Sequence, residues 1–321
     1  MFLRQTAVAI TALFSLLLSG HSAAQAYPDK PIRVITNLAA AATPDNMMRV
    51  MSPAMIGVLG QPIVMDNRPG ASGRIAFESV ARSAPDGYTV LVSNQNLATA
   101  KAFMKDLTFD PVTDLPPISI VASTPLMYAA NNQQPYKTFA EMVSFAKSNA
   151  GKVFQGHGGV QTTQNLFMLA INQKYGTQLT GVPYKGGSPQ MWLAAYTNET
   201  QLSFFTEAAV AQNAARITPI ATTGDQRLAA FPNVPTFNEL GLPSVIGVEY
   251  MMHVPKGTPQ PVVDKMRAAI NAALARDDVK DALKKFGLSA VGSTAAVAQQ
   301  RHGQYTQFFT EQARQFNIEP E

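Results

Sequence analysis

Neutral hydrogen-bonding side chains follow several predicted strands of this sequence. They are hydroxyl, amide and imidazole groups: Thr43, Ser93, Gln95, Asn96, His157, Gln161, Thr162, Thr163 and Thr206. Because the carboxyl ends of parallel strands meet at one edge of a sheet, we expect these groups to line the rims of a cleft. Such a lining suits a small polar ligand held by hydrogen bonds, rather than a reaction that breaks covalent bonds.

Glu207 is the acidic residue at these strand ends, and two interpretations of it stay open. As the first residue of a helix, it would complement the positive end of the helix dipole. As an acid in the cleft, it would contact the ligand or the waters around the ligand.

Residues that could carry catalysis or bind a metal are scarce. Beyond residue 26 the histidines are His157, His253 and His302, and none has a second histidine or a carboxylate at the spacing of a metal site. The chain has no cysteine, which excludes thiolate chemistry and disulfides. The stretch Gly70-Ala71-Ser72-Gly73 is better interpreted as a Pro/Gly loop than as a nucleophile turn. We therefore expect neither an enzyme nor a metal or cofactor site.

The loop between the first strand and the first helix is the strongest candidate for an anion site. Four alanines form it: Ala39, Ala40, Ala41 and Ala42. Thr43 suits the N-cap of the following helix, Pro44 its first turn and Asp45 the positive end of its dipole. Backbone N–H groups of residues 40–43 would then point outward and hold a carboxylate or its waters. An ordinary strand–helix turn is the alternative.

The composition limits the class of protein. The 321 residues carry a net charge of +4, and the Lys and Arg residues are scattered, so we expect no nucleic-acid partner. Residues 1–26 combine Arg4, an apolar core and Ala24-Gln25-Ala26, which is the pattern of a cleavable signal peptide. We expect an exported mature chain that begins at Tyr27 and is not inserted in a membrane.

Alternating strand and helix patterns position these residues. Strand, helix, strand, helix, strand over residues 32–93 predicts a parallel, doubly wound sheet, and the same rhythm restarts after the extended stretch at residues 118–130. A second extended stretch covers residues 244–253, and we interpret both stretches as crossings between two lobes. The predicted division is a signal peptide at 1–26, a first lobe at 27–125 and 248–321, and a second lobe at 126–247.

Seven short motifs link the chain to a known family. They are Tyr27-Pro28-Asp29-Lys30-Pro31-Ile32-Arg33, Leu59-Gly60-Gln61-Pro62-Ile63-Val64, Asn67-Arg68-Pro69-Gly70-Ala71-Ser72-Gly73, Ala84-Pro85-Asp86-Gly87-Tyr88-Thr89, Asp110-Pro111-Val112-Thr113-Asp114, Val182-Pro183-Tyr184-Lys185-Gly186 and Pro232-Asn233-Val234-Pro235-Thr236. In this order they resemble the periplasmic solute-binding receptors of tripartite tricarboxylate transporters, the Bug family. The resemblance covers nearly the whole mature chain.

The resemblance implies both a fold and a function. The implied fold is α/β, a type II-like periplasmic binding protein of two lobes with parallel, doubly wound sheets joined by two crossing strands. It implies a carboxylate ligand in the cleft, held partly through ordered waters at the first strand–helix loop. The implied partners are that ligand and the membrane permease subunits, and we expect a monomer in the periplasm. Two crossings leave few covalent constraints between lobes, so we also expect hinge closure on the ligand.

Individual residues match the family unevenly. Gly158 and Thr162 match its second-lobe loop, whereas Ala39-Ala40-Ala41-Ala42 stand where Pro-Pro-Gly-Gly is usual. Thr206-Glu207 stand where members that bind amino acids have Asp-Asn. Because alanine disfavours the positive φ angles that glycine allows, we expect a changed loop backbone.

The rim composition favours one kind of acid. The methyl-lined loop and the neutral rim groups favour an aromatic mono- or dicarboxylate, such as terephthalate, over a highly charged tricarboxylate that would need more cationic partners. The alternatives are an acidic amino acid, for which Glu207 could pair with the ammonium group, and an aliphatic di- or tricarboxylate. A ligand-sensing subunit of a two-component system has the same ligand chemistry, and a periplasmic enzyme on this scaffold is the remaining alternative.

Overall fold

The computed structural model describes residues 27–159, 162–184, 188–224, 226–242 and 247–320. The predicted signal peptide, Gln161, residues 185 and 186 of one motif and the start of the second extended stretch lie outside these ranges. None of the helices within them is long and apolar enough to span a bilayer.

Two β-sheets organise the described residues. The first has the order β11-β4-β10-β3-β1-β2 and the second β7-β6-β8-β5-β9. Their strands are β1 Ile32–Thr36, β2 Ile63–Asn67, β3 Thr89–Ser93, β4 Pro117–Thr124, β5 Leu126–Asn131, β6 Phe154–His157, β7 Thr180–Pro183, β8 Leu202–Thr206, β9 Ile217–Thr222, β10 Val248–His253 and β11 Ser289–Ala290.

Ten α-helices within the described ranges cover these sheets. They are α1 Thr43–Leu59, α2 Arg74–Ala81, α3 Asn96–Phe103, α4 Phe139–Ser148, α5 Thr163–Tyr175, α6 Ser188–Tyr196, α7 Glu207–Gln212, α8 Gln260–Ala275, α9 Asp277–Lys285 and α10 Ala295–Gln315. A short 3₁₀ turn over Ala71–Gly73 precedes α2.

Strand β1 is buried on both faces. Ile32 and Val34 pack in the same apolar cluster as Met51 of α1 and Ile270 of α8. Ile35 packs on the other face with Phe77 of α2. Successive residues of a strand point to opposite faces, so this continuous apolar run is typical of a parallel strand covered by helices on both sides.

The two-sheet α/β fold is the one expected, although the sheets are mixed rather than wholly parallel. Strand β1 pairs in parallel with β2 and β3, and β6 pairs in parallel with β7 and β8. The strand by which the chain enters each sheet at a crossing runs the other way: β10 is antiparallel to β3 and β4, and β5 is antiparallel to β8 and β9. A chain that returns from the neighbouring sheet enters at the edge where the parallel strands end, so it must run against them.

Local signals account for most element boundaries. The capping box of Thr138 with Glu141 is present at the start of α4. Thr236 and Glu239 exchange the same pair of hydrogen bonds, at 2.7 and 3.1 Å, although turns rather than a regular helix follow. The short helix α3 was not predicted, because its eight residues carry too little apolar periodicity. The six-residue helix α7 begins at Glu207, where one of the two interpretations of that residue places a helix start.

The two crossings lie against each other. Pro125 separates β4 from β5, and Gly247 precedes β10. The Gly247 N–H donates to Thr223 Oγ1 at 3.0 Å. A Cβ atom on Gly247 would lie 1.9 Å from the Thr124 carbonyl oxygen and 2.7 Å from the Pro125 Cα atom, so only glycine fits between the two backbones.

The two sheets also share an apolar cluster. It joins Ile120 of β4 and Phe309 of α10 with Tyr128 of β5 and Phe237. The end of α10 reaches the second sheet's helices, where Gln315 Nε2 donates to Gln173 Oε1 of α5. Helix α10, the last helix of the described residues, therefore packs against both sheets.

Replacing Gly247 by alanine should force the crossings apart. The clash is with backbone atoms that cannot rotate away, so we expect Gly247→Ala to destabilise the fold by about 1–3 kcal/mol, the usual cost of overpacking. Thermal unfolding measures the change. Gly57→Ala is the matched control, because nothing lies within 4 Å of its new methyl in the helix α1, and it should be neutral or stabilising. Equal melting temperatures for the two variants would contradict this account.

Candidate functional site

The alanine loop after β1 adopts a strained backbone. Helix α1 begins at Thr43, so the N-cap position falls on Ala42 rather than on Thr43. Ala41 has a φ of 62°, in the left-handed region, whereas the other three alanines have negative φ. A left-handed residue other than glycine costs about 1–2 kcal/mol. The sequence predicts a changed loop backbone. Ala41 nevertheless adopts the left-handed conformation that glycine would adopt without strain.

Asp45 holds this loop together. Its Oδ2 accepts the Ala41 N–H at 3.0 Å and the Arg49 Nε–H at 2.8 Å, and the residue is buried. The hydrogen bond from Arg49 lowers the pKa of the Asp45 carboxyl. Asp45 is thus an ionised acceptor within the loop, beyond the helix-dipole role that its position predicts.

Internal hydrogen bonds take two of the four N–H groups predicted to bind an anion. The Ala41 N–H bonds to Asp45, and the Ala42 N–H bonds to the Ala39 carbonyl oxygen at 3.1 Å. Among the described residues, the N–H groups of Ala40 and Thr43 have no acceptor. These two donors are the ones that this loop can offer to a ligand or to water.

The loop after β2 is a second strained segment at the same edge of the sheet. Four consecutive residues have positive φ: Gly70, Ala71, Ser72 and Gly73, at 119°, 46°, 55° and 101°. Ala71 and Ser72 carry the strain, and non-glycine residues in this region cluster at functional sites. A Cβ on Gly73 would come 3.1 Å from Asn37 Nδ2, so this loop lies directly beside the end of β1.

Asn37 is a candidate site residue that the sequence interpretation missed. It follows β1 and is 4% exposed, yet neither its Nδ2 nor its Oδ1 atom has a hydrogen-bond partner among the described residues. The Oγ1 atom of the neighbouring Thr36 is also buried without a partner. Buried amides are almost always hydrogen-bonded, so this unpaired carboxamide marks a place where a ligand or water would add a partner. Its position after a buried strand was the available signal.

Three predicted residues of the first sheet make contact with the second crossing and its strand. The Thr43 side chain interacts with the Tyr250 side chain of β10. Ser93 Oγ lies 3.3 Å from His253 Nε2, and Gln95 Nε2 donates to the Gly247 carbonyl oxygen at 3.4 Å. The predicted rim is therefore tied to the strand that returns from the second sheet.

His253 determines how Ser93 can bond. His253 Nδ1 lies 2.9 Å from the Leu115 carbonyl oxygen, so Nδ1 carries the proton and Nε2 accepts from the Ser93 hydroxyl. The His302 ring packs at 5.3 Å against the His253 ring, and its Nε2 donates to the Pro111 carbonyl oxygen. Burial lowers the pKa of His253 to about 3 and that of His302 to about 4, so both are neutral at neutral pH.

Asn96 has a local role in this rim. It is the first residue of α3, and its N–H donates to the Asn94 side chain at 3.1 Å. Its side chain is half-buried.

The rim of the second sheet is formed by the loop after β6. His157 is buried, and its Nδ1 accepts the Gly159 N–H at 3.1 Å. Burial lowers the pKa of His157, so the ring is neutral and shapes its own loop. Thr162 Oγ1 donates to the Gly159 carbonyl oxygen at 2.7 Å, Gly158 is exposed and Thr163 opens α5. Gln161 lies outside the described residues.

Thr206 and Glu207 open helix α7. The Thr206 hydroxyl caps the helix by accepting the Ala209 N–H at 3.3 Å. Glu207 is the first helical residue, as one interpretation predicted, and it lines a groove with Lys280 and Lys284 that contains none of the other predicted rim residues. Within the described ranges, no hydrogen bond joins a predicted site residue of the first sheet to one of the second.

Comparison with known proteins supplies the context for this site. Residues 47–317 match the family model described as "tripartite tricarboxylate transporter family receptor", TctC. The chain belongs to this receptor family. It is thus related to periplasmic solute-binding receptors, and the expected family is confirmed.

Three solved structures are similar over almost their whole length. The periplasmic binding protein BugD is 28% identical, with 92% of this chain and 100% of BugD covered and a TM-score of 0.73. MatC of Rhodopseudomonas palustris with bound malate is 27% identical, with 89% and 99% covered and a TM-score of 0.72. Rpa4515 of R. palustris with adipate is 25% identical, with 92% and 100% covered and a TM-score of 0.75. The type II-like two-sheet fold of a periplasmic binding protein is thereby confirmed.

For this TctC receptor, relief of the strain in the alanine loop should be measurable. Ala41→Gly removes the left-handed cost of about 1–2 kcal/mol, but glycine adds about 0.4–1 kcal/mol of unfolded-state entropy. We expect a net stabilisation of up to about 1.6 kcal/mol, measured by denaturant unfolding. Ala40→Gly is the control next to it, because Ala40 has negative φ and should lose stability. The same sign of change in both variants would exclude strain at Ala41.

Proposed function

We propose that this TctC receptor binds an organic carboxylate between its two sheets and delivers it to the permease of a tripartite tricarboxylate transporter. The buried, unpaired carboxamide of Asn37 carries the proposal. It lies at the carboxyl edge of β1, where α/β sheets bind ligands, and beside two strained loops. The free N–H groups of Ala40 and Thr43 are donors suited to a carboxylate or to water bound to one.

A carboxylate ligand is supported by the relatives. MatC holds malate and Rpa4515 holds adipate, and both cover nearly all of this chain. An aliphatic dicarboxylate is therefore the second candidate, and the acids bound by these two relatives are the observation that favours it.

An aromatic mono- or dicarboxylate remains our favoured ligand. Ala39, Ala40 and Ala41 are exposed, so the loop presents methyl groups to a ligand body. The buried His157 is neutral and gives no cation to a highly charged acid. An amino acid is less well supported, because the side chain expected to meet its ammonium group, Glu207, lines a different groove.

We further propose that residues 27–125 with 248–321 and residues 126–247 are lobes that close on the ligand. Two crossings join them, and the rim residues Ser93 and Gln95 bond to the second crossing. A ligand that binds to these rim residues would therefore also affect the crossing about which the lobes close.

A ligand screen tests the receptor function. Terephthalate and 4-hydroxybenzoate should raise the melting temperature more than malate, adipate, glutamate or citrate. A ligand at about 100 times its Kd adds about 2.7 kcal/mol, a shift of several degrees. Small-angle scattering of the same samples should show a smaller radius of gyration at saturation. No shift with any carboxylate would contradict the receptor proposal, and shifts with aliphatic acids alone would contradict only the aromatic preference.

Asn37→Leu should weaken ligand binding without lowering the stability of the fold. Leucine leaves no unpaired polar group, so the unliganded fold should be as stable as the parent or more so. Affinity for the ligand found in the screen should fall by about 1–3 kcal/mol, the cost of a lost hydrogen bond to a charged group. Calorimetric titration measures it.

Thr200→Val is the matched control for Asn37→Leu. It removes another buried, unpaired polar group, the Thr200 hydroxyl, which precedes β8 at the end opposite the rim. Its affinity should equal that of the parent. Unchanged affinity in Asn37→Leu would mean that the carboxamide does not meet the ligand.

A further inference from the structure

A groove of about 800 Å³ lies between the two sheets, away from the predicted rims. One wall comes from α7 and the segment at Ala230 and Phe231, and the other from α8, α9 and β11. Of the predicted site residues only Glu207 lines it. In the first sheet, β11 is four strands from β1, which is about 19 Å at the usual strand spacing.

The floor of the groove is apolar. Leu274 and Leu288 are 6% and 3% exposed, and Phe231 is half-buried beside them. Val291 lines the same groove with 45% of its surface exposed. A concave, mainly apolar lining of this volume with a few polar groups is typical of small-molecule sites.

The charges on the groove are asymmetric. Lys280 and Lys284 lie on the α9 wall, one helical turn apart, and Glu207 lies on the α7 wall. Lys280 Nζ is 3.1 Å from Asp277 Oδ1, whereas Lys284 forms no ion pair with any described residue. Glu207 does not reach either lysine within ion-pair distance in the described structure. The α9 wall therefore offers a cation that is available to an anion.

The two walls approach each other at one end. A Cβ on Gly287 would lie 3.9 Å from the Ala208 Cβ, so α7 and the turn after α9 are within van der Waals reach. A molecule in the groove would touch residues of both sheets, on the far side of β4 and β10 from the alanine loop.

We propose that this groove is a second binding site, for an amphipathic organic anion. Its apolar body packs on Leu274, Leu288 and Phe231, and its charged group lies at Lys284. Because both walls belong to the site, its occupant stabilises one arrangement of the two sheets. The site is independent of the carboxylate cleft, since Asn37 and the alanine loop take no part in it.

Fluorescence titration with 1-anilinonaphthalene-8-sulfonate tests the proposal, because this probe is both apolar and anionic. We expect saturable binding at one site with increased emission. Ala211→Trp fills the groove from the exposed face of α7 and should weaken binding at least tenfold. Lys284→Ala should weaken it about three- to fivefold, as for an exposed charge pair.

Two controls match these variants. Ala215→Trp adds the same ring to an exposed position outside the groove, and Lys285→Ala removes the neighbouring charge that does not line it. Both should bind the probe like the parent chain. Absence of saturable binding, or binding that Ala211→Trp leaves unchanged, overturns the proposal. If Asn37→Leu no longer binds the probe and Ala211→Trp still binds it, the probe has bound the cleft. That result overturns the groove site without affecting the receptor function.

Discussion

The close contact between the two crossings is the constraint on which the rest of the structure depends. Gly247 lies against Thr124 and Pro125 with no room for a side chain. This contact fixes where the chain re-enters the first sheet, and β10 consequently runs between β3 and β4. In that position Tyr250 and His253 reach Thr43 and Ser93. The predicted rim of the cleft is therefore built partly from the hinge strand.

The proposed coupling between cleft and hinge rests on these bonds, and the shared core limits it. Phe309 and Ile120 pack with Tyr128 and Phe237 in one cluster that spans both sheets. A large apolar contact resists separation, because opening it would expose apolar surface to water. Motion of the sheets must therefore preserve this cluster. The groove between α7 and α9 is not filled by such an apolar cluster. The distance between the sheets can therefore change there at a lower cost in free energy.

Local chemistry explains why most of the fold was predictable from sequence. Pro44, the box of Thr138 with Glu141 and the glycine turns act within a few residues, so they mark boundaries without knowledge of tertiary contacts. The mixed character of the sheets was not predictable in this way. It follows from where the chain returns, which is a long-range property of β10 and β5. The short helix α7 likewise takes its place from packing rather than from periodicity.

The site shows the same division between local and distant causes. The neutral rim groups were predictable as residue types after strands, but their hydrogen bonds were not: Ser93 donates to a histidine 160 residues away. Asn37 was missed because its significance lies in burial without a partner, which no sequence pattern carries.

The alanine loop connects these points. Its side chains differ from the family's usual glycines and prolines. Ala41 nevertheless has a left-handed backbone, and Asp45 accepts a hydrogen bond from the Ala41 N–H. Thr43 keeps an N–H donor, Ala40 offers an N–H that the family's usual proline lacks, and Ala41 and Ala42 carry methyl groups where glycine has hydrogen atoms. In the proposed site, the N–H groups of this loop would bind the carboxylate and its side chains would contact the rest of the ligand. A change of side chains on such a backbone alters which acid body fits without removing the recognition of an acid.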